Sequence, residues 1–336
     1  MQVWSDVLDP VTLTGYGRRE LEDYDTTASV LSQFLPTETK NGAVVKLDDP
    51  LFRVNASAQY RAFDAETPIN GGIVSNRAIV ELPPLGVKVR FGEYDQLRAA
   101  GQESGTSAEN ALLTITGGVA RAIAERMELA RGAVLATGKL SINENGFVSE
   151  LDFGRSSEMN ATAANLWNTA GSDPIADLQA WIDAYAEKNG FNPGTILLST
   201  AAMAALQKND KVKALLGPSA PSQVSRSAVQ AILADYGVPV SIVYDKRVKG
   251  DKGYQRVIPA DTLLMLPAAT EPLGATVYGV TLESTLPEYG IPLADQPGIV
   301  VGAYRDNDPV AVWVRGNAIG TPVLSNPDFA MAAKVL

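Results

Sequence analysis

The chain has 336 residues, 46% of them hydrophobic and 20% charged, a composition typical of a folded protein of about two domains. It contains neither cysteine nor histidine, which excludes disulfide bonds, thiolate nucleophiles, zinc sites built from these residues and histidine-assisted serine catalysis. The formal net charge of −10 disfavours a dedicated nucleic-acid binder, since such binding depends on Lys and Arg neutralising phosphates, although the same charge equally serves solubility.

The first fifty residues are predicted to form an arm rather than a domain, because their apolar residues are sparse and show no period. Acidic residues cluster there, which is usually the mark of a solvated surface: Glu20, Glu22, Asp23 and Asp25. Residues 1–10 lack the basic and apolar regions of a signal peptide, and no stretch approaches the ~20 apolar residues of a membrane span. We therefore expect no membrane attachment.

Residues 51–91 are predicted to form a long two-stranded ribbon. Apolar and polar residues alternate from Phe52 to Ala62, which is the period of a half-buried strand. A polar tip follows over Asp64–Asn76, and the chain returns through Arg77–Leu82 and Val87–Phe91. An isolated hairpin of this length is marginal in water, so we expect its partner to lie on another molecule. The basic residues along it are candidates for subunit contacts with acidic surface on a neighbour: Arg53, Arg61, Arg77, Lys88 and Arg90.

A long helix is predicted over residues 106–136, opening with the capping-box pattern Thr106-Ser-Ala-Glu109. Apolar residues recur along it at steps of three and four: Leu112, Ile115, Val119, Ile123, Met127, Ala130 and Val134. Two charged pairs, Arg121 with Glu125 and Glu128 with Arg131, are spaced to meet on a solvent-exposed side. Gly117-Gly118 predicts a bend and supplies two hinge candidates, the alternative being that glycine allows a neighbouring element to pack closely.

The remaining chain alternates strands and helices. Asn145-Gly146 predicts a hairpin between Lys139–Glu144 and Phe147–Phe153, with Leu140 opposite Leu151. An α/β region begins near Ser172 with a helix between Asp173-Pro174 and Asn189-Gly190. A strand at Thr195–Leu198 and a helix capped by Ser199 or Thr200 come next. The region ends with a helix from Ser222 to Gly237 and a strand at Val238–Tyr244. Residues 246–253 are predicted to be a solvated basic loop. Four short strands follow: Thr262–Leu266, Ala275–Glu283, Gly298–Tyr304 and Pro309–Arg315.

Short motifs give no functional site. Gly15-Tyr16-Gly17 begins like a dinucleotide-binding fingerprint, but Glu20 stands where the third glycine is required. Asp306 and Asp308 resemble the opening of a calcium-binding loop, but no glycine occupies its sixth position. We therefore predict no catalytic, cofactor-binding or metal-binding residue and no cofactor. Chemistry by paired carboxylates stays open, because spacing in sequence does not show which acids lie about 5–10 Å apart.

The order of these parts resembles the major capsid proteins of tailed bacteriophages, in the lambda-type capsid family with the Hong Kong-type phage capsid fold. The resemblance covers nearly the whole chain and rests on architecture as much as on motifs. Its most family-like stretch of sequence is Pro322-Val-Leu-Ser-Asn-Pro-Asp328.

The resemblance implies an α+β fold in five parts. They are an N-terminal arm (1–50), an extended loop (51–91), a peripheral domain with a spine helix and a hairpin (92–171), an axial α/β domain (172–304) and C-terminal strands that return to the peripheral domain (305–336).

The resemblance also implies a structural, non-enzymatic protein. Pentamers and hexamers of it would form an icosahedral head that encloses phage DNA without sequence-specific binding. The protein would reside in the virion capsid after assembly in the host cytoplasm, and scaffolding, portal and decoration proteins stay open as further partners. Three alternatives also stay open. An encapsulin-like nanocompartment of the same fold would enclose a cargo enzyme, a carboxylate-dependent hydrolase would be a small oligomer with an acidic cleft, and a tail or baseplate protein would form rings or tubes.

Overall fold

The computed structural model describes residues 2–3, 7–47, 78–100, 107–217, 221–250, 253–271 and 273–336. Within these ranges the helices are α1 (Pro10–Thr27), α2 (Glu93–Ala100), α3 (Ser107–Thr137), α4 (Pro174–Asn189), α5 (Thr200–Lys208), α6 (Asp210–Ala214), α7 (Arg226–Asp235) and α8 (Leu282–Thr285). The strands are β1 (Gln2–Val3), β2 (Thr37–Thr39), β3 (Val44–Leu47), β4 (Ala78–Glu81), β5 (Pro84–Gly92), β6 (Lys139–Glu144), β7 (Phe147–Asp152), β8 (Asn160–Thr162), β9 (Thr195–Leu198), β10 (Val240–Val243), β11 (Arg247–Gly250), β12 (Gly253–Arg256), β13 (Thr262–Leu266), β14 (Gly274–Tyr278), β15 (Val300–Asn307), β16 (Val310–Leu324) and β17 (Met331–Lys334).

A six-stranded sheet is built around the long strand β16. Its order is β1-β15-β16-β14-β2, and β5 pairs with the other side of β16. All these pairs are antiparallel except β14 with β2, which is parallel.

Helix α3 packs across one face of this sheet. Val312 and Val314 of β16 lie in one apolar cluster with Val119 of α3. The helix comes so close that a Cβ on Gly316 would lie 2.3 Å from the Val119 side chain. Glycine at this position of β16 therefore permits the approach of helix to sheet.

A second, five-stranded sheet has the order β10-β9-β13-β17-β8. Its core contains Trp167, Tyr185 and Met265, with apolar residues of α4, α5 and α7 around them. The Arg155 side chain links this sheet to the end of α3, because its guanidinium donates to the carbonyls of Leu135 (2.7 Å) and Ala136 (2.8 Å) in α3 and of Ala330 (3.3 Å) just before β17. Burial lowers the pKa of Arg155 to about 10. The last carbonyls of α3 are thus satisfied by a cation, as the C-terminal end of a helix favours.

Several predicted elements are confirmed. The long helix runs from Ser107 to Thr137 with the predicted apolar face buried, except for Ile115, which is half-buried. Its predicted N-cap Thr106 lies outside the described residues. In the β6–β7 hairpin, Leu140 lies opposite Leu151, and Asn145 and Gly146 both have positive φ (48° and 82°). Helix α4 is capped by Asp173 and ends at the left-handed Gly190, and strands β9 and β13 have the predicted bounds.

Other predicted elements are corrected. The segment 246–253, predicted as a loop, belongs to the β11–β12 hairpin. The helix predicted from Ser222 begins at Arg226 with Ser225 as its cap, and the strand predicted at Val238–Tyr244 is limited to β10. The strand predicted over Ala275–Glu283 ends at Tyr278, and α8 follows.

The N-terminal segment is also more ordered than an aperiodic arm. Helix α1 packs on α3 and β15, and it buries Leu13, Leu21 and Tyr24. Helix α1 has few apolar residues because only a narrow stripe of it faces the core. That stripe includes small residues such as Gly17, beside which the Val301 side chain lies.

Each of the two sheets takes strands from more than one of the five predicted segments. Strand β8 comes from the stretch assigned to the peripheral domain but joins the five-stranded sheet, while β14 and β15 come from the axial stretch and join the six-stranded sheet. Strand β17, from the C-terminal segment, also lies in the five-stranded sheet. Each sheet is therefore assembled from distant segments, which the order of elements alone does not reveal.

Candidate subunit-contact surface and a buried ionic network

Lys88 and Arg90 lie on strand β5, on the face of the six-stranded sheet turned away from α3. In the β5–β16 ladder Lys88 is opposite Arg315 and Arg90 is opposite Trp313, and residues directly opposite share one face of a sheet. Both cations are exposed. The alternate residues of β5 point the other way, towards the apolar cluster around α3.

This placement corrects the predicted ribbon. The return strand at Val87–Phe91 was expected to need a partner on another molecule, but it pairs along its whole length with β16 of the same chain. Only the base of the ribbon is seen, where β3 pairs with β4 and Leu47 lies opposite Ala78. The ribbon tip Asp64–Asn76 and the contact candidates Arg53, Arg61 and Arg77 lie outside the described residues.

Aromatic and charged side chains surround Lys88 on its face of the sheet. The Lys88 ammonium lies 3.9 Å from the centre of the Trp313 ring, a cation–π distance. The Trp313 indole N–H donates to Asp306 (2.8 Å). Arg315 donates to Glu283 (2.5 Å), which also accepts from Asn317 (2.6 Å). The face is thus a polar and aromatic surface that can form charge-assisted contacts with another molecule.

Gly117 and Gly118 lie within an unbroken α3. A Cβ on Gly117 would lie 3.6 Å from Glu20 and Tyr16 of α1, an ordinary contact distance, and a Cβ on Gly118 would have no atom within 4 Å. Close packing therefore does not require glycine at either position. The hinge role stays a prediction.

A buried ionic network joins α1, α3 and the six-stranded sheet at Arg131, whose side chain is fully buried. Its guanidinium makes two hydrogen bonds to the Asp25 carboxylate (2.7 and 3.1 Å) and donates to Thr276 (2.7 Å) and Thr37 (3.1 Å). Burial alone would lower the pKa of Arg131, but the hydrogen bond and charge of Asp25 outweigh it and raise that pKa. Arg131 is therefore held as a cation in the interior.

Glu128 forms the other half of the network. Its fully buried carboxylate lies 3.4 Å from the Arg131 guanidinium and accepts hydrogen bonds from Ser29 (2.6 Å) and the Tyr244 hydroxyl (2.5 Å). Burial, and then the negative charge of Glu128, raise the pKa of Tyr244 far above its ordinary value. Tyr244 follows β10 directly, so the network also reaches the five-stranded sheet.

The network overturns the prediction that Glu128 and Arg131 pair on a solvent-exposed side of the helix. Arg121 differs too, since its guanidinium lies 3.9 Å from Glu20 of α1. The sequence does contain a signal for the buried side, because a row at steps of four leads along α3 to Glu128: Thr116, Ala120 and Ala124, all buried. Such a row of small residues marks a second packed side, here covered by α1 and the segment after it.

Metal clusters and membrane-spanning helices are both absent from the described ranges. These ranges contain no group of three or more acidic side chains arranged to hold a metal ion. Among their helices, none is both long and apolar enough to cross a membrane.

Comparison with known families identifies the chain. The family described as phage major capsid protein E matches residues 53–335. The chain therefore belongs to this family, and it is a structural major capsid protein of a phage head. No curated protein matches it in sequence.

Solved structures agree on the fold. A prophage protein of E. coli CFT073 assigned as a capsid protein is 17% identical, with 98% of this chain and 99% of that one covered and a TM-score of 0.67. A phage-related protein from Bordetella bronchiseptica RB50 is 16% identical, with 98% of each chain covered and a TM-score of 0.60. A chain of the satellite phage P4 procapsid is 10% identical, with 95% and 90% covered and a TM-score of 0.53. The α+β phage capsid fold predicted from the sequence is thus confirmed.

Proposed function

We propose that copies of this chain associate into pentamers and hexamers and close into an icosahedral head that encloses phage DNA. The observation that carries the proposal is membership of the capsid family over residues 53–335. A head made from many copies of one chain needs contacts on several sides of each copy, and head-to-tail contacts that close by rotation give rings.

Large exposed apolar side chains support contacts on several sides. Six of them, spread along the chain, are 71–80% exposed: Tyr94, Val148, Val240, Tyr254, Leu282 and Leu293. Aromatic side chains are enriched at protein interfaces. Their spread suits a subunit with neighbours around its perimeter.

We assign Lys88 and Arg90, together with Arg53, Arg61 and Arg77 of the ribbon, to contacts with acidic surface on neighbouring copies. Each exposed ion pair contributes under ~1 kcal/mol, so these contacts act together. In the same proposal, Gly117 and Gly118 form a hinge in the spine helix.

The five-part division stays a proposal as well. Residues 1–50 serve as an arm anchored by α1, and residues 51–91 include the extended loop. The six-stranded sheet with α3 forms the core of the peripheral part, and the five-stranded sheet forms the core of the axial part. The C-terminal strands contribute to both.

The acidic chain encloses DNA without sequence-specific binding, since a net charge of −10 keeps a wall from adhering to phosphates. We propose that the protein has no catalytic role, that it assembles in the host cytoplasm and that it resides in the virion. Scaffolding, portal and decoration proteins are the partners such a head would use.

Electron microscopy and native mass measurement of the purified protein test this proposal. Closed shells with five-fold and six-fold units are expected, and shells co-purifying with DNA in infected cells distinguish a head from a nanocompartment with cargo enzyme. Tubes would favour a tail protein, and a small oligomer with hydrolase activity would favour an enzyme. Only monomers or dimers at every salt and protein concentration would overturn the proposal.

A further inference from the structure

We infer that the six-stranded sheet continues from one copy of the chain to the next, with β2 of a neighbour adding in parallel to the outer edge of β5. This inference rests on the proposed self-association and names the surfaces that meet. It pairs Lys88 or Arg90 of one copy with Glu38 of the next.

Both strands present an open edge. Across the described residues, β5 pairs only with β16, and β2 pairs only with β14. All three residues of β2 are exposed. Open strand edges carry unpaired peptide groups that can pair with another chain.

The hydrogen-bond pattern shows which peptide groups are directed outwards from β5. The Gly320 N–H donates to the Pro83 carbonyl (3.0 Å). This bond shows which residues of β5 direct their peptide groups towards β16, because the direction alternates from one residue to the next. Peptide groups at every second residue, Leu85 and Val87 among them, therefore point towards β16. Those of Gly86, Lys88 and Arg90 point away from it.

The same reasoning applies to β2. The Thr276 N–H donates to the Pro36 carbonyl, and the Lys40 N–H donates to the Tyr278 carbonyl (both 2.8 Å). The peptide groups of Glu38 therefore point towards β14, and those of Thr37 and Thr39 point outwards.

Strand directions make the two edges compatible. Strand β5 is antiparallel to β16, β16 is antiparallel to β14, and β14 is parallel to β2, so β5 and β2 run the same way. A neighbour in the same orientation thus offers β2 parallel to β5. In a parallel ladder, Lys88 bonds to the residues on either side of the one opposite it, which here are Thr37 and Thr39 around Glu38.

Side-chain faces and charges agree with this register. Thr37 contacts Arg131 of α3, so the next residue, Glu38, lies on the sheet face turned away from α3. Lys88 and Arg90 project from that same face, so a parallel ladder sets a carboxylate beside a cation. Pairing of β5 with another β5 would instead bring cations together, which is unfavourable.

A groove of about 710 Å³ lies along the outer edge of β2, between this strand and α1. Its lining includes Thr37 and Thr39, the apolar residues Leu21, Tyr278 and Ile299, and four charged residues, Arg18, Glu22, Asp25 and Asp295. Val89 of β5 points to the sheet face opposite that of Lys88 and is 37% exposed. In the inferred contact, Val89 of one copy is directed into this groove on the next.

Engineered cysteines test the contact, because the chain has no cysteine of its own. Lys88→Cys combined with Glu38→Cys, and separately Arg90→Cys combined with Glu38→Cys, would be oxidised in assembled particles. Within one copy the two strands are three strand spacings apart, about 14 Å, too far for a disulfide. We expect a ladder of covalent oligomers from at least one pair. Each single variant, and Lys88→Cys combined with Glu187→Cys on α4, serves as a control and should give none.

Particles that form normally but give no cross-link above the controls would overturn the inference and leave the proposed function standing. Failure of the unmodified chain to form particles would instead overturn the proposed function. A charge exchange provides a second measurement. Lys88→Glu with Arg90→Glu, and Glu38→Lys alone, should each reduce particle yield, and combining all three should restore it. A combined variant no better than the single changes would contradict the assigned pairing.

Discussion

The side chain of Arg131 illustrates how a single residue ties three elements together. It is the buried cation between the Asp25 and Glu128 carboxylates, and it also bonds to Thr276 of the sheet. Arg131→Ala should lower the free energy of unfolding by about 3–5 kcal/mol, because the buried Glu128 and the partly buried Asp25 would lose their cation. Denaturant unfolding of the unassembled subunit measures this.

Arg131→Met separates the loss of charge from the loss of volume, and Arg121→Ala is a control at an exposed cation. Arg131→Met keeps most of the volume and should be nearly as destabilising as Arg131→Ala. Arg121→Ala removes an exposed cation 3.9 Å from Glu20 and should cost under ~1 kcal/mol. Full recovery of stability in Arg131→Met would show that packing, not charge, dominates at this position.

Tyr244 makes the free energy of unfolding depend on pH in the alkaline range. Its pKa is raised in the folded state, so the folded chain keeps the phenol proton at pH values where an unfolded tyrosine, with a pKa of about 10, has lost it. The contribution of Tyr244 is therefore complete below pH ~10 and declines as the pH rises, by about 1.4 kcal/mol at pH 11.

Between pH 8 and pH 11, Tyr244→Phe should therefore lose less unfolding free energy than the unmodified chain. The difference should be about 1.4 kcal/mol, because unfolding of the variant no longer releases the Tyr244 proton. At pH 8 the variant should be less stable by about 1–3 kcal/mol, since Glu128 loses a buried hydrogen bond. Identical pH profiles would contradict the shift.

At the scale of elements, Gly117 and Gly118 are the clearest test of the spine helix. Each glycine costs a helix interior about 1 kcal/mol relative to alanine, and both sites have room for a methyl group. Gly117→Ala with Gly118→Ala should therefore favour a straight α3 by up to ~2 kcal/mol per subunit. If the two glycines form a hinge that moves when the shell expands, the variant should expand under milder pH or temperature.

Normal assembly with an unchanged expansion transition would contradict the hinge. Failure of the variant to fold would contradict the free space around both glycines. Ala122→Gly, at an exposed position further along the same helix, is a matched control that adds a glycine without removing these two.

Local patterns predicted elements better than they predicted partners. The apolar period of α3, the Asn145-Gly146 turn and the caps of α4 are encoded within a few residues, and these elements have their predicted form. The burial of Glu128 and Arg131 depends instead on Asp25 and Tyr244, which are about a hundred residues away in sequence. The pairing of β5 with β16 is equally remote. Of the candidate surface, the alternation of cations on β5 was predictable, but the aromatic residues beside them belong to β16.

At the scale of the whole molecule, the ribbon base shows what residues 48–77 are attached to. Val45 and Val80 of β3 and β4 pack against Val277 and Val323 of the six-stranded sheet. The base therefore sits on the face opposite α3, the face that also carries Lys88. Because the base packs on this sheet, we expect the ribbon tip to contribute to assembly more than to folding.

Replacement of Asp64–Asn76 by a single Asn-Gly turn tests this division of roles. Unfolding of the subunit should stay cooperative and change by no more than about 0.5 kcal/mol, as expected for a change outside the packed core. Shells should no longer form, because the shortened ribbon would not reach a neighbour. A Gly/Ser segment of the original length is the matched control that separates reach from sequence. Assembly with the short turn would show that the tip is not a contact. Loss of cooperative unfolding would show that it belongs to the fold of one subunit, since a segment that only links copies has no packing to lose in the isolated chain.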